Sequence, residues 1–317
     1  MSRRIVSVGD LVLDVILPVR LPVLPGQHQD PGMRRMEPGG AGNVMIAARR
    51  MGLEVAAAGT VGADAFGAHI LEALRAEGID TTQVVTMPAS TTTLVIVLTD
   101  QESGEHTFIG DYGQGPAVPY PPGLDALIAA SAALFVQGYT LAERRIVPLA
   151  LRAIERAAAS GVPLYLDVGP FMAFVVPAHV PWVVERAALV LMTEDEVPLV
   201  SGGLAGRAAY ERLLAAGPQM LVIKQGAAGC AVITPGSEQR VPGFTVPVVD
   251  TVGAGDCFDA AFMAGHLSGL SPWACGRLAN AMGAAAVQRM GAGRNAPSCA
   301  DVLAILEQAG DRIAYRC

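Results

Sequence analysis

The sequence is organised around one stretch near its carboxyl end, Val249-Asp250-Thr251-Val252-Gly253-Ala254-Gly255-Asp256-Cys257-Phe258. Apolar, β-branched residues precede its glycines from Val246 onward and a good helix former follows, so the pattern predicts a strand end, a tight turn and a helix start. The first N–H groups of a helix lack partners and lie at the positive end of its dipole. We therefore expect an anion site, most simply a phosphate site, at Gly253, Ala254, Gly255 and Asp256.

Asp256 needs an explanation, because a carboxylate beside a phosphate site repels the phosphate. One interpretation is that Asp256 is only an N-cap, a position that Asp favours. The other is that it is a general base that takes the proton from an attacking hydroxyl, while the backbone N–H groups hold the charge of a transferring phosphoryl group. The stretch alone leaves both interpretations open, and the two roles are compatible.

Two signatures in this sequence resemble those of one protein family. Asp250 to Asp256, followed by Phe258, is similar to the C-terminal signature of the PfkB/ribokinase family of carbohydrate kinases. The family's glycine-rich signature near the N-terminus is similar to Pro38-Gly39-Gly40-Ala41-Gly42-Asn43-Val44. The two occur in the expected order in a chain of the expected length, so the resemblance covers nearly all of the 317 residues. It favours the catalytic interpretation of Asp256.

The resemblance implies a fold of the α/β class: a ribokinase-like three-layer α/β/α sandwich with a mostly parallel central sheet and a small β lid. It also implies a single domain over residues 1–317. The alternation of apolar strands and helices after residue 130 independently predicts a mostly parallel sheet with helices on both faces. At the N-terminus, Ile5 to Val8 is predicted to be a strand that ends in a turn at Gly9-Asp10.

The predicted lid is formed from about 11–37 and 90–113. A β-hairpin between βα units suggests a small sheet beside the main one. In the family such a lid covers the sugar and often mediates dimerisation, so a homodimer through the lid is a further expectation.

Four residues are candidates for binding a substrate sugar: Asp14, Gly39, Gly40 and Asn43. A lone carboxylate among apolar residues, as Asp14 is, is costly to bury without partners. It is either a strand residue that faces solvent or, as the resemblance implies, an acceptor for substrate hydroxyls. The resemblance also places the sugar over Gly39 and Gly40, with the Asn43 side chain bonded to its hydroxyls. Ala41 stands where ribokinases proper often have Lys, which weakens ribose as the substrate.

The candidates for nucleotide binding are Lys224, Gly226, Gly229 and Asn280. Lys224 is the only lysine in the chain, and it stands at a predicted strand end before two glycines. Related kinases have a similar Lys-x-Gly-x-x-Gly turn near the nucleotide, and an Asn that lies by the adenine at the place of Asn280. The alternatives without a binding role are that Lys224 is a surface lysine before a hairpin turn and that Asn280 is an amide on a helix surface.

Two further sites are implied for metal ions. Glu196 occupies the place of the glutamate in the family's Asn-x-x-Glu motif, which organises Mg²⁺ through water, although Thr193 replaces the Asn. The carbonyl groups of Asp250 and Val252, with the loop at 291–296, correspond to a monovalent cation site that is often K⁺. A cluster of acids such as Glu194, Asp195 and Glu196 is otherwise often only a solvated helix start.

The composition excludes several functional classes. The net charge of −7, without a basic run, argues against nucleic-acid binding. No apolar run is long enough for a transmembrane helix, and the N-terminus reads as a strand instead of a signal peptide, so we expect a cytoplasmic protein without a membrane partner. The five cysteines are widely spaced and fit no zinc or disulfide pattern, so we expect reduced thiols.

The sequence therefore predicts an ATP- and Mg²⁺-dependent kinase that phosphorylates a hydroxyl, most simply a primary alcohol, of a small sugar. A nucleoside kinase of the same family is the alternative, and a catalytically silent sugar or nucleotide sensor is a third hypothesis that the intact Asp256 disfavours. A nicotinamide-dependent oxidoreductase and a P-loop kinase are excluded, because neither glycine fingerprint is present.

Overall fold

The structure, a computed structural model, describes residues 3–103 and 105–317. Its twelve described strands are Arg4–Val19 (β1), Arg35–Gly40 (β2), Glu54–Gly62 (β3), Asp80–Met87 (β4), Thr93–Asp100 (β5), His106–Asp111 (β6), Ala133–Gln137 (β7), Leu164–Asp167 (β8), Ala187–Thr193 (β9), Met220–Lys224 (β10), Gly229–Thr234 (β11) and Ser237–Pro242 (β12). The α-helices described are Ala41–Arg50 (α1), Ala65–Ala76 (α2), Leu124–Ala129 (α3), Gly138–Ala142 (α4), Val147–Ala159 (α5), His179–Val184 (α6), Val197–Ser201 (α7), Gly206–Ala216 (α8), Ala254–Leu267 (α9), Pro272–Val287 (α10) and Cys299–Gln308 (α11).

The central sheet has the strand order β12-β11-β10-β9-β8-β7-β1-β3-β4. Its strands from β4 to β10 are parallel, and only β11 and β12 pair antiparallel. Two apolar clusters, one on each face, pack the helices against the sheet. The strands between them are almost fully buried, which is typical of a parallel sheet covered on both sides. The predicted three-layer α/β architecture with a mostly parallel sheet is confirmed.

A smaller sheet extends from the second half of β1. Residues Leu11–Val19 leave the central sheet and pair with β2 and β5, and β6 completes the edge. The turn predicted at Gly9-Asp10 is wrong, since β1 runs through both residues. A Cβ on Gly59 would lie only 1.9 Å from the Gly9 carbonyl oxygen. Glycine at position 59 therefore allows β3 to approach β1 closely.

Helix α9 begins within the glycine-rich stretch Val249 to Phe258. Gly253 has a φ of 72° and precedes the helix, in a conformation where a side chain would be strained. A Cβ there would also lie 2.4 Å from the Ala292 side chain. The strand predicted over Val246 to Val249 is wrong: β12 ends at Pro242 and the chain has no regular structure before α9. Pro247, which lacks an N–H donor, is consistent with that.

The cysteines and the helices bear on two other expectations. Cys299 and Cys317 form a disulfide, so the expectation of five reduced thiols is wrong for this pair, which ties the C-terminal tail to the start of α11. Cys230, Cys257 and Cys275 are buried free thiols. Within the described residues, no helix combines the length and the hydropathy that crossing a bilayer requires.

Candidate active site

A cavity of about 680 Å³ opens where the central and smaller sheets meet. It lies at the carboxyl ends of parallel strands, which is where open α/β sheets hold their ligands. Asp14 lines it together with candidate residues from both glycine signatures, namely Gly40, Asn43, Val252, Gly253 and Asp256. Residues more than 200 positions apart therefore meet at one site.

Asp256 lies in the first turn of α9, and both of its carboxylate oxygens accept hydrogen bonds. The Asn43 amide donates to one oxygen at 3.0 Å, and the Gln137 amide donates to the other at 2.9 Å. Asn43 in turn accepts the N–H of Gly293 at 2.9 Å, so its side chain joins the two glycine-rich regions. These bonds fix the carboxylate at the cavity wall, with its orientation set by two amides.

Burial raises the pKa of Asp256 to about 6, and the nearby Asp167 carboxylate adds to the effect. The Asn43 bond and the Lys224 ammonium act in the opposite direction. A carboxylate with a pKa just below neutrality is ionised at pH 7 and still basic enough to accept a proton. The environment therefore fits Asp256 for proton transfer.

The glycine turn before α9 forms the predicted anion site only in part. Gly253 is the N-cap of α9 and no side chain of the described residues caps the helix, so the interpretation of Asp256 as the N-cap is wrong. The N–H of Ala254 donates to the Thr251 carbonyl at 3.2 Å, so the expectation that this group is free is wrong. The N–H groups of Gly255 and Asp256 follow in the first helical turn, where no intrahelical acceptor exists for them. They remain the donors for an anion.

Asp14 lies across the same cavity and is only 7% exposed. Within the described part of the chain no hydrogen bond reaches its carboxylate. A Cβ on Gly39 would lie 2.1 Å from that carboxylate, so glycine is required beside it. Burial raises the pKa of Asp14 to about 8, with a further contribution from Asp256. A buried carboxyl without partners is costly to charge, and a ligand hydroxyl at this position would relieve that cost.

We expect Asp14→Asn to stabilise the ligand-free protein at high pH. The folded-state pKa of Asp14 lies above its unfolded value of 3.8, so its contribution to stability is full below pH 3.8 and is lost as the pH rises through about 8. Thermal unfolding at pH 5 and pH 9 should therefore show the variant gaining stability over wild type mainly at pH 9. Asp80→Asn, at an exposed strand start, is the matched control. Equal differences at both pH values would contradict the assignment.

Lys224 is at the centre of an acidic cluster beneath the cavity. Its ammonium lies 2.8 Å from Asp167 and 3.2 Å from Asp259, which is fully buried. Burial alone lowers the pKa of Lys224, but the Asp167 and Asp259 carboxylates outweigh it and raise the pKa overall. Lys224 Nζ also lies 3.9 Å from the place where a Cβ on Gly255 would be. Its charge therefore sits directly behind the glycine turn.

Glu196 lies in the short 3-10 turn that follows β9. Its carboxylate accepts the Thr193 N–H at 2.8 Å, and Thr193 and Glu196 form a reciprocal capping box. Thr193, which replaces the family's Asn, therefore has a structural partner. Burial raises the pKa of Glu196, and the Lys224 ammonium opposes that shift.

The remaining candidates lie beside the same edge of the sheet. Gly226 and Gly229 form the turn between β10 and β11 with φ values of 55° and 104°. The Asn280 amide is buried and donates to the Val241 and Pro242 carbonyls, so it holds the end of β12. The buried Asp250 carboxylate accepts the N–H groups of Val252 and Gly291, at 3.0 and 2.7 Å, which joins the two loops of the predicted cation site.

Sequence reasoning missed Gln137 and Asp259 as parts of the site. Gln137 is a polar residue that ends the apolar strand β7, a signal that could have identified it. Asp259 is one helical turn after Asp256, so the two side chains share a face of α9.

A family model described as pfkB family carbohydrate kinase matches residues 2–299 of the chain. Among curated relatives, ATP-dependent ribose-1-phosphate kinase of Halopiger xanaduensis is 32% identical over 97% of this chain and 99% of that protein. Nucleoside kinase of Methanothermobacter thermautotrophicus is 24% identical over 95% of each chain.

Solved structures are similar in fold. Arabidopsis thaliana ribokinase complexed with ribose and ATP superposes with a TM-score of 0.81, at 22% identity, covering 97% of this chain and 99% of that one. A ribokinase-like protein from E. coli in complex with ATP and Mg²⁺ gives a TM-score of 0.83 at 21% identity, covering 97% and 100%. At these identities the structures show the shared fold alone.

Proposed function

The chain belongs to the pfkB family of carbohydrate kinases, enzymes that transfer a phosphoryl group to an alcohol, and on that premise we propose how its site performs the transfer. Asp256 is the general base, and the acceptor is a hydroxyl, most simply a primary alcohol, of a small carbohydrate. The observation that carries the proposal is the Asp256 carboxylate, held by two amides at the N-terminus of α9 and facing the cavity that Asp14 also lines.

In this mechanism the acceptor hydroxyl lies against Asp256 and loses its proton as it attacks the γ-phosphorus of ATP. The oxygen–phosphorus bond to the acceptor forms as the bond to ADP breaks. The N–H groups of Gly255 and Asp256 and the positive end of α9 stabilise the charge on the transferring group. The Gly253 turn allows the backbone to approach that group closely.

Asp14 orients the sugar, because it is a buried carboxylate on the cavity wall that a pair of hydroxyls can satisfy. Gly39 leaves room for the Asp14 carboxylate, and Gly40 lines the cavity beside it, so we propose that the sugar lies over these two glycines. Asn43 holds Asp256 and Gly293 in place through its side-chain amide. We also propose that Asn43 contacts the sugar.

ATP is proposed to lie over the turn formed by Gly226 and Gly229, with Lys224 and Asn280 supporting that edge from below. The E. coli neighbour binds ATP and Mg²⁺ together, which supports the same pair here. No cluster of three or more acidic, His or Cys ligands that could hold a metal is found in the described residues. That fits Mg²⁺, which keeps its waters and binds substrate phosphates, with Glu196 reaching it through water. The ion would neutralise phosphate charge during transfer.

A monovalent cation, most simply K⁺, is proposed at the carbonyl groups of Asp250 and Val252. The Asp250 carboxylate ties both loops of this site together and lies beside the glycine turn. We further propose that β2, β5, β6 and the second half of β1 are the lid, that lid-mediated dimers form, and that the enzyme works in the cytoplasm.

The test of the proposed function is ADP production from ATP and Mg²⁺ with a panel of sugars, sugar phosphates and nucleosides. We expect ADP production with at least one panel member and no ADP production when that compound is left out. ATP that binds but is never consumed with any acceptor, as in a silent sensor, would overturn the proposal. Repeating the active reaction with K⁺ replaced by a bulky organic cation tests the monovalent site.

We expect kcat/KM to rise with pH up to an apparent pKa of about 6, since only ionised Asp256 accepts a proton. Below that pH the rate should fall about tenfold per unit. The control is the residual activity of Asp256→Asn. Its pH profile should lack the fall at low pH, which shows that the fall in wild type comes from Asp256 and not from the titration of ATP. A wild-type profile that is flat from pH 5 to 7.5 would contradict the role of Asp256.

A further inference from the structure

Part of the cavity lining is aromatic, and the proposed reaction does not use it. Tyr139 and Phe171 have ring centroids 4.7 Å apart, Tyr112 lies 5.6 Å from Phe171, and Phe174 lies 5.5 Å from Phe171. All four line the same cavity as Asp14 and Asp256. We call these four residues the aromatic wall.

Three separate segments supply the aromatic wall. Tyr112 follows β6, Tyr139 lies in α4, and Phe171 and Phe174 belong to the 3-10 turn at Pro170–Phe174 after β8. Gly169 precedes that turn with a φ of 62°, and a Cβ there would lie 3.2 Å from the Tyr139 ring. The backbone is thus shaped so that the rings can gather beside the site.

The aromatic wall is exposed to an unusual degree for apolar side chains. Phe174 is 74% exposed, Tyr112 51% and Tyr139 42%, and the cavity-lining Phe108 is 54% exposed. Five of the sixteen aromatic residues of the chain line this one cavity. Contiguous exposed apolar surface of this kind marks a binding site, and aromatic faces favour flat, polarisable groups.

The charges around the cavity limit the kind of group that a sugar bound there can carry. Arg145 is nearly buried and already ion-paired with Asp10 at 3.2 Å and Glu143 at 3.3 Å. Arg144 is the other basic residue lining the cavity, and it is exposed. Burial and the nearby Asp256 carboxylate raise the pKa of Tyr139, so its phenol stays neutral. The wall is therefore neutral, and aromatic faces, which are electron-rich, offer an anion little.

We propose that the aromatic wall binds a planar heterocycle attached to the sugar, so that the substrate is a nucleoside whose base stacks on Phe171 and Phe174. The inference rests on the proposed kinase activity and deepens it by naming the substrate class. The cavity of about 680 Å³ lies in the range that holds ligands larger than a lone pentose. With the sugar between Asp14 and Asp256, the base extends along the wall.

The experiment compares kcat/KM for inosine, ribose and ribose 1-phosphate in wild type and in Phe174→Ala. We expect inosine to be the best of the three, and the inosine-to-ribose ratio to fall about tenfold in the variant, as stacking on one ring implies. Phe174 is exposed, so its removal should not unfold the protein. Phe171→Leu is the second variant. Phe66→Ala, an exposed aromatic on α2 outside the cavity, is the matched control and should leave the ratio unchanged.

Two outcomes overturn the inference while the kinase proposal stands. One is ribose as the best substrate with an unchanged ratio in Phe174→Ala. The other is ribose 1-phosphate as the best substrate, with a loss in Arg144→Ala that exceeds the loss in Phe174→Ala. Absence of turnover with all three compounds and with the wider panel would instead count against the proposed function itself.

Discussion

We expect the replacement of Asp256 with Asn to lower kcat about 10³-fold, with little change in the affinity for ATP. General acid–base groups contribute roughly 10² to 10⁴ to the rate, and Asn cannot accept the proton. The amide is nearly isosteric with the carboxylate and its oxygen still accepts the hydrogen bond from Asn43, while its NH₂ group can donate to the Gln137 side-chain oxygen once that amide flips. The loss therefore reports the missing base and not a collapsed site.

The measurement is steady-state kinetics with the acceptor identified in the panel, together with ATP titration by calorimetry. Asp80→Asn is the control for the same chemical change at an exposed position. A variant within tenfold of wild-type kcat would mean that Asp256 is not the general base and that its carboxylate only holds the Asn43 and Gln137 amides in place.

We expect the replacement of Lys224 with Met to lower the free energy of unfolding by about 3 kcal/mol. The ammonium is almost buried and lies between the Asp167 and Asp259 carboxylates, so its removal leaves two acids without a counterion. The same substitution removes positive charge from behind the glycine turn, so the KM for ATP should also rise.

Urea denaturation of Lys224→Met and of the double variant Lys224→Met/Asp259→Asn separates charge from packing. The second change removes one of the orphaned acids, so the double variant should recover part of the lost stability. Arg207→Met breaks an exposed ion pair with Glu211 and serves as the control, with no measurable change expected. Equal stability of Lys224→Met and wild type would show that the ion pairs contribute nothing.

Local sequence patterns predicted the parts of the site that lie on one continuous segment. The glycines before Asp256 specify a turn and a helix start, and the structure has Gly253 in the left-handed region directly before α9. The alternation of strands and helices predicted the parallel sheet in the same way. These features depend on neighbours in the chain, which a sequence displays.

Features that depend on strand order were not predictable in this way. Gln137 at the end of β7 donates to Asp256 in α9, and nothing near either residue in the sequence indicates that the two meet. Lys224 was interpreted through the glycines that follow it, whereas its two partners lie on β8 and α9. The aromatic wall is likewise built from three segments, each with too few rings to be noticed alone.

Two local predictions failed for physical reasons. Gly9-Asp10 has the composition of a turn, but β1 and β3 approach so closely at Gly9 and Gly59 that glycine is needed within the strands. Val246 to Val249 has the β-branched composition of a strand, but it lies beyond the sheet edge and Pro247 removes a donor.

The central claim is that the enzyme moves the γ-phosphoryl group of ATP to a hydroxyl of a sugar-containing acceptor. The most direct measurement is ³¹P NMR of a reaction with ATP, Mg²⁺ and the active acceptor, with ADP quantified in the same sample. We predict one new phosphate monoester on the acceptor for each ADP formed, on its primary alcohol. ADP with inorganic phosphate and no phosphorylated acceptor would contradict the claim.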